Sequence, residues 1–151
     1  MTRKITNHVA RFSRGFIDEP LRLGNLDARR DWGHAEDYVH AMWLILMQEE
    51  PDDYVVSSGE DHSVRDFVNV AFSCIGFELL WKGKGVKEKG YIKGLKDPVV
   101  IVSEEFFRPA EVSSLKGDSS KVRDLGWFPE YSFNDLVSSM VNADIKQLRG
   151  N

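Results

Sequence analysis

The chain has 151 residues, of which 42% are hydrophobic and 29% are charged, so it is long enough to bury a core and its composition argues against disorder. Its net charge of −4 argues against non-specific binding of nucleic acid, and any anion site must come from a local cluster of basic residues. The single cysteine argues against a disulfide framework, and no apolar run reaches the length of a membrane span. For these reasons we expect a cytoplasmic protein.

The first half of the chain is predicted to alternate between helices and short strands. Apolar residues at helical spacing predict one helix over 3–14 and another over 35–48. A short strand or loop is predicted over 20–24, and a short buried strand over 54–57. The apolar stripe of the second helix consists of Ala35, Tyr38, Val39, Met42, Trp43 and Leu46.

The second half begins with a sequence like a capping box, in which Asp66 follows Ser63 by three residues and predicts a helix start. Strands are predicted over 78–82 and 99–102. Between them, residues 83–98 are rich in lysine and glycine and lack apolar periodicity, which predicts an exposed, mobile loop. The residues expected to face inward on the capped helix are Val64, Phe67, Val68, Ala71 and Phe72.

Two further helices are predicted near the end of the chain. A short one over 119–125 stops at Gly126, and a longer one begins after its cap, Ser132. No internal repeat or linker is found, so we expect a single mixed α/β domain over 1–151. The apolar stripe of the last helix consists of Phe133, Leu136, Val137, Met140, Val141, Ile145 and Leu148.

Two adjacent arginines, Arg29 and Arg30, lie in a predicted polar loop directly before the helix at 35–48. Guanidinium groups beside the free N–H groups of a helix start suit the binding of phosphate oxygens. The simpler alternative is that the two arginines form surface ion pairs with Asp27 and Asp31. The arginines alone do not decide between these interpretations.

The segment around the arginines resembles a known protein family. Asp-Ala-Arg-Arg-Asp-Trp-Gly-His-Ala-Glu-Asp-Tyr-Val, residues 27–39, is similar to the signature segment of the GDP-mannose 4,6-dehydratases, members of the extended short-chain dehydrogenase/reductase superfamily. Residues 2–5 and 107–112 are similar to other motifs of that family, in the same order. The resemblance extends from Met1 to about Gly150 and implies the α/β fold of the C-terminal, substrate-binding lobe of a Rossmann-type enzyme.

The motifs of the family's cofactor-binding half are not found in this sequence. That half opens with a glycine-rich strand, turn and helix for NADP, and its chemistry uses a tyrosine followed four residues later by a lysine; none of the four tyrosines here has that lysine. The nearest glycine pair, Gly83 and Gly85, has Glu88 where a third glycine is needed and opens no helical pattern. We therefore expect a substrate-binding fragment without catalytic residues that is inactive alone.

The resemblance implies binding roles for three residues. Arg30 and Arg108 would bind the diphosphate of a nucleotide sugar, because a guanidinium matches phosphate geometry and stays charged. Glu111 would accept hydrogen bonds from the ribose hydroxyl groups. The alternative for Arg108 and Glu111 is a salt bridge within their loop, which would contribute little to stability at the surface.

Two more residues are implied to contact the substrate. Lys4 would reach it from the N-terminal segment, and Asn25 would border the guanine together with Leu23. Without the resemblance, Lys4 would be an ordinary polar residue on a helix.

The neighbours of Arg30 are expected to have supporting roles. Arg29 is predicted to be solvated, and Asp31 to orient Arg30 or to cap the following helix. Trp32 and His34 are expected to pack and to hold the loop in place, without a part in proton transfer.

The function implied by the resemblance is conversion of GDP-mannose to GDP-4-keto-6-deoxymannose, in GDP-fucose synthesis, by a complete NADP-dependent enzyme that is a homo-oligomer and uses no metal. This chain would supply recognition of GDP-mannose. One alternative is a non-catalytic module that binds nucleotide sugar or associates with full-length subunits, and another is a related dehydratase or epimerase for a different nucleotide sugar. The missing half would leave an apolar face uncovered, which predicts self-association.

Overall fold

A computed structural model describes residues 1–16, 19–108, 112 and 114–149, and the structural statements below concern those residues. Its α-helices are α1 (Thr2–Phe12), α2 (Ala35–Leu46), α3 (Val64–Ser73), α4 (Ser120–Arg123) and α5 (Phe133–Gln147). A 3-10 turn covers Gly85–Lys87. Within the described ranges, no helix combines the length and the apolar character needed to cross a membrane.

The strands form two small sheets. They are β1 (Leu21–Leu23), β2 (Arg29–Arg30), β3 (His62–Ser63), β4 (Leu79–Lys82), β5 (Lys89–Ile92), β6 (Val100–Val102) and β7 (Ser114–Leu115). In the larger sheet the order is β1-β6-β5-β4, where β1 is parallel to β6 and the other neighbours are antiparallel. In the smaller sheet β2 lies between β3, which is antiparallel to it, and β7, which is parallel.

The main core lies between three helices, α1, α3 and α5, and one face of the larger sheet. Each of these helices has apolar residues three or four positions apart, so that one stripe of the helix is turned inward. Ile5 of α1, Phe67 and Phe72 of α3, and Val137 and Val141 of α5 are fully buried. Burial of these stripes holds the sheet and the three helices together.

Local capping signals set where α3 and α5 begin. Ser63 and Asp66 form a complete capping box at the start of α3, and Ser132 and Asp135 form another at the start of α5. The predicted helices are confirmed to within a few residues at each end. The predicted stop at Gly126 is also confirmed, since this glycine has a φ of 87°, which L side chains rarely adopt.

A smaller core forms beneath α2. Trp127 is fully buried and packs against Ala41, and its indole N–H donates to the backbone carbonyl of Asp37 at 2.8 Å. The Asp37 carboxylate accepts hydrogen bonds from the backbone N–H groups of Glu130 at 3.0 Å and Tyr131 at 3.3 Å. These bonds fasten α2 to the segment that leads into α5.

The apolar stripe of α2 is largely exposed. Val39, Met42, Trp43 and Leu46, here called the α2 face, are between 58% and 81% exposed. The sequence predicted an uncovered apolar face without naming its residues, and the α2 face is one exposed apolar surface of the described chain. The spacing of apolar residues indicated an amphipathic helix, but it did not indicate what covers the apolar side.

The strand predicted over 54–57 is wrong. These residues belong to no strand, because no other described segment pairs with them. Tyr54 and Val56 pack against the smaller core, whereas Val55 is 54% exposed. A strand needs a neighbour to accept and donate its backbone hydrogen bonds, and apolar sequence alone does not provide one.

The loop predicted over 83–98 is wrong for Lys89–Ile92, which form β5, whereas most of the other residues of the segment are exposed as predicted. The segment contains the 3-10 turn and β5, which pairs with β4 on one side and with β6 on the other. Ile92 is buried in the main core, and Glu88 is buried where it accepts hydrogen bonds from the Arg65 guanidinium. The composition was misleading because β5 is ordered by hydrogen bonds to the strands on either side of the segment, β4 and β6, and not by an apolar periodicity of its own.

Candidate functional site

A cavity of about 310 Å³ lies where the end of β1, the turn after β6 and the start of α1 meet. Among the described residues, four basic side chains line it, those of Lys4, Arg22, Arg30 and Arg108, together with one acidic side chain, that of Glu105. Leu23, Ala28 and Val64 contribute apolar surface. The excess of positive charge in a partly apolar cavity suits an anion attached to an apolar or aromatic group.

A close approach of two backbone segments forms one wall of the cavity. The backbone N–H of Ser103 donates to the carbonyl of Leu23 at 2.8 Å, which joins the turn after β6 to the end of β1. At the next position a Cβ on Gly24 would collide with the backbone carbonyl of Phe106. Glycine is needed at position 24 because the two segments touch there.

Arg30 lies in β2 and not in the polar loop that was predicted. Its strand pairs with β3 on one side and with β7 on the other, which fixes its backbone. The Arg30 Nη1 donates to the carbonyl of Arg29 at 2.7 Å and to that of Val112 at 3.0 Å. These bonds hold the guanidinium at the wall of the cavity.

Arg29 points away from the cavity, because successive side chains on a strand face opposite sides. Its Nη2 donates to the backbone carbonyl of Asp61 at 2.6 Å and lies 3.1 Å from the Asp61 carboxylate. The hydrogen bond between the two side chains raises the pKa of Arg29 and lowers that of Asp61. The prediction of a solvated neighbour therefore missed a structural ion pair, although the Arg29 side chain is still 44% exposed.

Asp31 has a different role from either of the two predicted for it. Its carboxylate accepts the backbone N–H groups of Ser58 at 2.9 Å and Gly59 at 3.0 Å, so it holds the loop that precedes β3. The cap of α2 is His34, whose Nδ1 accepts the backbone N–H of Glu36 at 3.3 Å.

The packing roles predicted for Trp32 and His34 are confirmed. The Trp32 ring lies 5.3 Å from that of Phe67 and 5.9 Å from that of Phe133, and it joins the edge of the main core. The His34 ring stacks on Tyr131 with 3.9 Å between ring centres. Aromatic contacts of this kind hold the segment between β2 and α2.

Lys4 and Asn25 both line the cavity, as the resemblance implied they would approach the substrate. The Lys4 ammonium lies 4.1 Å from the centre of the Phe106 ring, a cation–π contact that joins α1 to the turn after β6. The Asn25 side-chain carbonyl accepts the backbone N–H of Asp27 at 3.0 Å. That bond leaves the Asn25 amide N–H groups to donate to a ligand.

Four of the five residues predicted to bind substrate therefore share one cavity. Arg108 lines it beside the cavity's three other described basic side chains, whereas Glu111 lies outside the described residues. The four residues come from positions 4 to 108, and the fold brings them together through α1, β1, β2 and the turn after β6.

Sequence reasoning missed Arg22 and Glu105. Arg22 is exposed between the buried residues Leu21 and Leu23, an alternation that indicates a side chain directed away from the core. In the part of the chain that the structure describes, Arg22, Glu105 and Arg108 have no hydrogen bond or ion-pair partner. Their charges are therefore available to a ligand.

Comparison with known proteins gives a consistent result. A family model described as GDP-mannose 4,6 dehydratase matches residues 1–140. A GDP-mannose 4,6 dehydratase of Drosophila melanogaster is 51% identical over all of this chain and 38% of its own length. That of Homo sapiens is 47% identical over all of this chain and 41% of its own length. The chain thus spans about two fifths of the length of these curated relatives.

Solved structures share the fold at low sequence identity. The structure of RMD from Pseudomonas aeruginosa complexed with NADPH has a TM-score of 0.76 and 18% identity, over 97% of this chain and 42% of that one. UDP-glucose 4-epimerase of Thermotoga maritima with UDP-glucose has a TM-score of 0.68 and 19% identity, over 93% of this chain and 38% of that one. These likenesses concern the fold alone, and they confirm a mixed α/β fold that corresponds to part of a Rossmann-type dehydratase or epimerase.

Proposed function

The chain belongs to the GDP-mannose 4,6-dehydratase family, and on that premise we propose that its cavity binds the GDP part of GDP-mannose. The observation that carries the proposal is the convergence of Lys4, Asn25, Arg30 and Arg108 on one cavity. The resemblance assigns all four residues to the substrate independently of their positions in the fold.

Each residue of the proposed site has a role that its chemistry supports. Arg30 and Arg108 bind the diphosphate, for which paired guanidinium donors are well suited. Lys4 adds a positive charge, and Asn25 borders the guanine with its amide N–H groups. Glu111 accepts hydrogen bonds from the ribose hydroxyl groups, as the resemblance implies.

We propose that residues 1–151 form a substrate-binding domain whose contribution to the reaction is positioning. Holding the GDP by remote contacts orients the hexose for chemistry carried out by other residues of a complete enzyme. That chemistry is the dehydration of GDP-mannose to GDP-4-keto-6-deoxymannose, as part of GDP-fucose synthesis. We expect no turnover from the 151 residues alone, and we propose a cytoplasmic location, where Cys74 stays reduced.

NADP is the cofactor we propose for the complete enzyme, as a hydride carrier. The described residues do not fit a dinucleotide, because Gly83 leads only into the three-residue 3-10 turn at Gly85–Lys87. A pyrophosphate site needs a helix whose first N–H groups are free, and none follows these glycines. The cofactor would therefore bind to other parts of a complete enzyme.

Calorimetric titration of the chain with GDP-mannose tests the proposal, with UDP-glucose as the comparison ligand. We expect saturable binding of GDP-mannose and a loss of at least about tenfold in affinity in Arg30→Ala, which removes charge-assisted hydrogen bonds to phosphate. Arg29→Ala is the matched control, because the neighbouring Arg29 pairs with Asp61 on the other side of β2. Equal losses in the two variants, or no binding by a chain that circular dichroism finds folded, would contradict the proposed site.

The α2 face favours a second candidate function, association with other protein. Four large apolar side chains are clustered on one exposed helix face, whereas the apolar residues of an ordinary protein surface are scattered singly. We propose that this face binds a full-length dehydratase subunit or a second copy of the chain, and that the complete enzyme is a homo-oligomer. A non-catalytic module that binds nucleotide sugar and joins full-length subunits would need both this face and the cavity.

A further inference from the structure

Arg22 and Glu105 line the cavity, yet the proposed binding of GDP gives neither of them a part. We infer that these two side chains read the guanine base and make the cavity select guanosine over other nucleosides. The inference rests on the proposed nucleotide site and assigns the residues that determine its base specificity.

Glu105 needs an explanation because its charge opposes the rest of the cavity. A carboxylate among four cationic side chains lowers the positive potential that attracts a diphosphate. Among the described residues, Glu105 has no hydrogen bond or ion-pair partner that would neutralise its charge. A ligand that brings its own hydrogen-bond donors would make use of this carboxylate.

Guanine has the complementary pattern of donors and acceptors. It presents O6 and N7 as acceptors on one edge, which a guanidinium such as that of Arg22 can bind with two hydrogen bonds. It presents the N1–H group and the N2 amino group as donors on the adjacent edge, which an ionised carboxylate such as Glu105 can accept. Adenine carries an amino group where guanine has O6 and has no hydrogen on N1 and no amino group at C2, so Arg22 would keep only N7 as an acceptor and Glu105 would lose both of its donors.

The two side chains come from segments that lie side by side. Arg22 is in β1, which runs parallel to β6, and Arg22 pairs in register with Ile101. The hydrogen bond from Ser103 to Leu23 then brings the following turn, with Glu105, alongside the end of β1. A flat base that enters between these segments therefore meets a guanidinium from one and a carboxylate from the other.

The neighbouring aromatic ring adds a surface for a base. Phe106 follows Glu105 in the turn, lines the same cavity and is 41% exposed. Lys4 lies over the ring at 4.1 Å, so the ring is already held in place before a ligand binds. Stacking on an aromatic side chain favours any base, whereas the hydrogen bonds of Arg22 and Glu105 would select among bases.

Calorimetric titration with GDP, inosine diphosphate and UDP distinguishes recognition of the guanine base from a purely electrostatic effect of the two side chains. Inosine diphosphate keeps N1–H, O6 and N7 but lacks the N2 amino group. We expect Glu105→Gln to weaken GDP binding by about 10- to 100-fold, because hydrogen bonds to a charged acceptor are lost. The preference of the wild type for GDP over inosine diphosphate should disappear in the same variant, and UDP should bind as well as before or better.

Arg22→Gln gives an independent pattern. We expect this substitution to weaken the binding of GDP and of inosine diphosphate by the same factor, because both ligands present O6 and N7. The affinity for UDP should change less. Both substitutions are at exposed positions, and circular dichroism spectra that match the wild type would verify that the variants are folded.

The possible failures are distinguishable. If Glu105→Gln strengthens GDP and UDP binding equally, Glu105 acts only as a negative charge, and the inference is overturned while the nucleotide site stands. The same holds if the ratio of GDP to inosine diphosphate affinity is unchanged in Glu105→Gln while Arg30→Ala still abolishes binding. If the folded wild type binds none of the three diphosphates, the proposed function and the inference fail together.

Discussion

Replacement of Asp31 by alanine is expected to lower the free energy of unfolding by about 2 kcal/mol. The Asp31 carboxylate accepts the backbone N–H groups of Ser58 at 2.9 Å and Gly59 at 3.0 Å, besides the Ser58 hydroxyl group at 2.6 Å. These groups are partly buried, so the two N–H groups recover only part of their hydration when the carboxylate is removed. A net loss of about 1 kcal/mol for each backbone bond accounts for the expected value.

Urea unfolding followed by far-UV circular dichroism measures this effect, with Asp27→Ala as the matched control. The Asp27 side chain is 76% exposed and pairs with Arg65, and an exposed ion pair contributes about 0–1 kcal/mol. Asp31→Asn should fall between the two, because one oxygen remains to accept a hydrogen bond. Equal changes in unfolding free energy for Asp31→Ala and Asp27→Ala would refute the assignment of Asp31 as the anchor of this loop.

Three further variants test other features. Gly24→Ala should destabilise the chain by about 1–3 kcal/mol and weaken nucleotide binding, because the added Cβ collides with the Phe106 carbonyl; a normal urea midpoint would contradict this. Burial lowers the pKa of His8 from 6.5 to about 4, so the unfolded chain takes up the proton first and stability should be lost as the pH falls from 6.5 toward 4. His8→Gln should flatten this loss in urea titrations at several pH values, and an unchanged slope would show that other groups cause it. Trp43→Glu should reduce self-association through the α2 face in light scattering, and a wild type that stays monomeric at high concentration would count against that face as an interface.

Local sequence determined most of the helical structure. The capping boxes at Ser63 and Ser132 act within a single turn, so the starts of α3 and α5 could be read directly from the residues. The apolar spacing of α3 and α5 likewise predicted which stripe of each helix enters the main core. A helix forms its hydrogen bonds within itself, and for that reason short stretches of sequence contain enough information to predict it.

The motifs shared with a known family identified four residues of the candidate site. Lys4, Asn25, Arg30 and Arg108 could be named from the sequence because each belongs to, or lies beside, a segment that matches that family. The sequence did not indicate that Arg30 is in a paired strand, since β2 has only two residues and depends on β3 and β7 for its hydrogen bonds.

The tertiary structure alone decided the features that depend on pairing between separate segments. Residues 83–98 were predicted as a loop although β5 lies there between β4 and β6, and residues 54–57 were predicted as a strand although no described segment pairs with them. Arg22 and Glu105 are 83 positions apart, and they share a cavity because β1 and β6 are adjacent in the sheet. The sequence by itself determined elements whose hydrogen bonds are local, whereas strand pairing, burial and the shape of the cavity come from contacts between residues far apart in the chain.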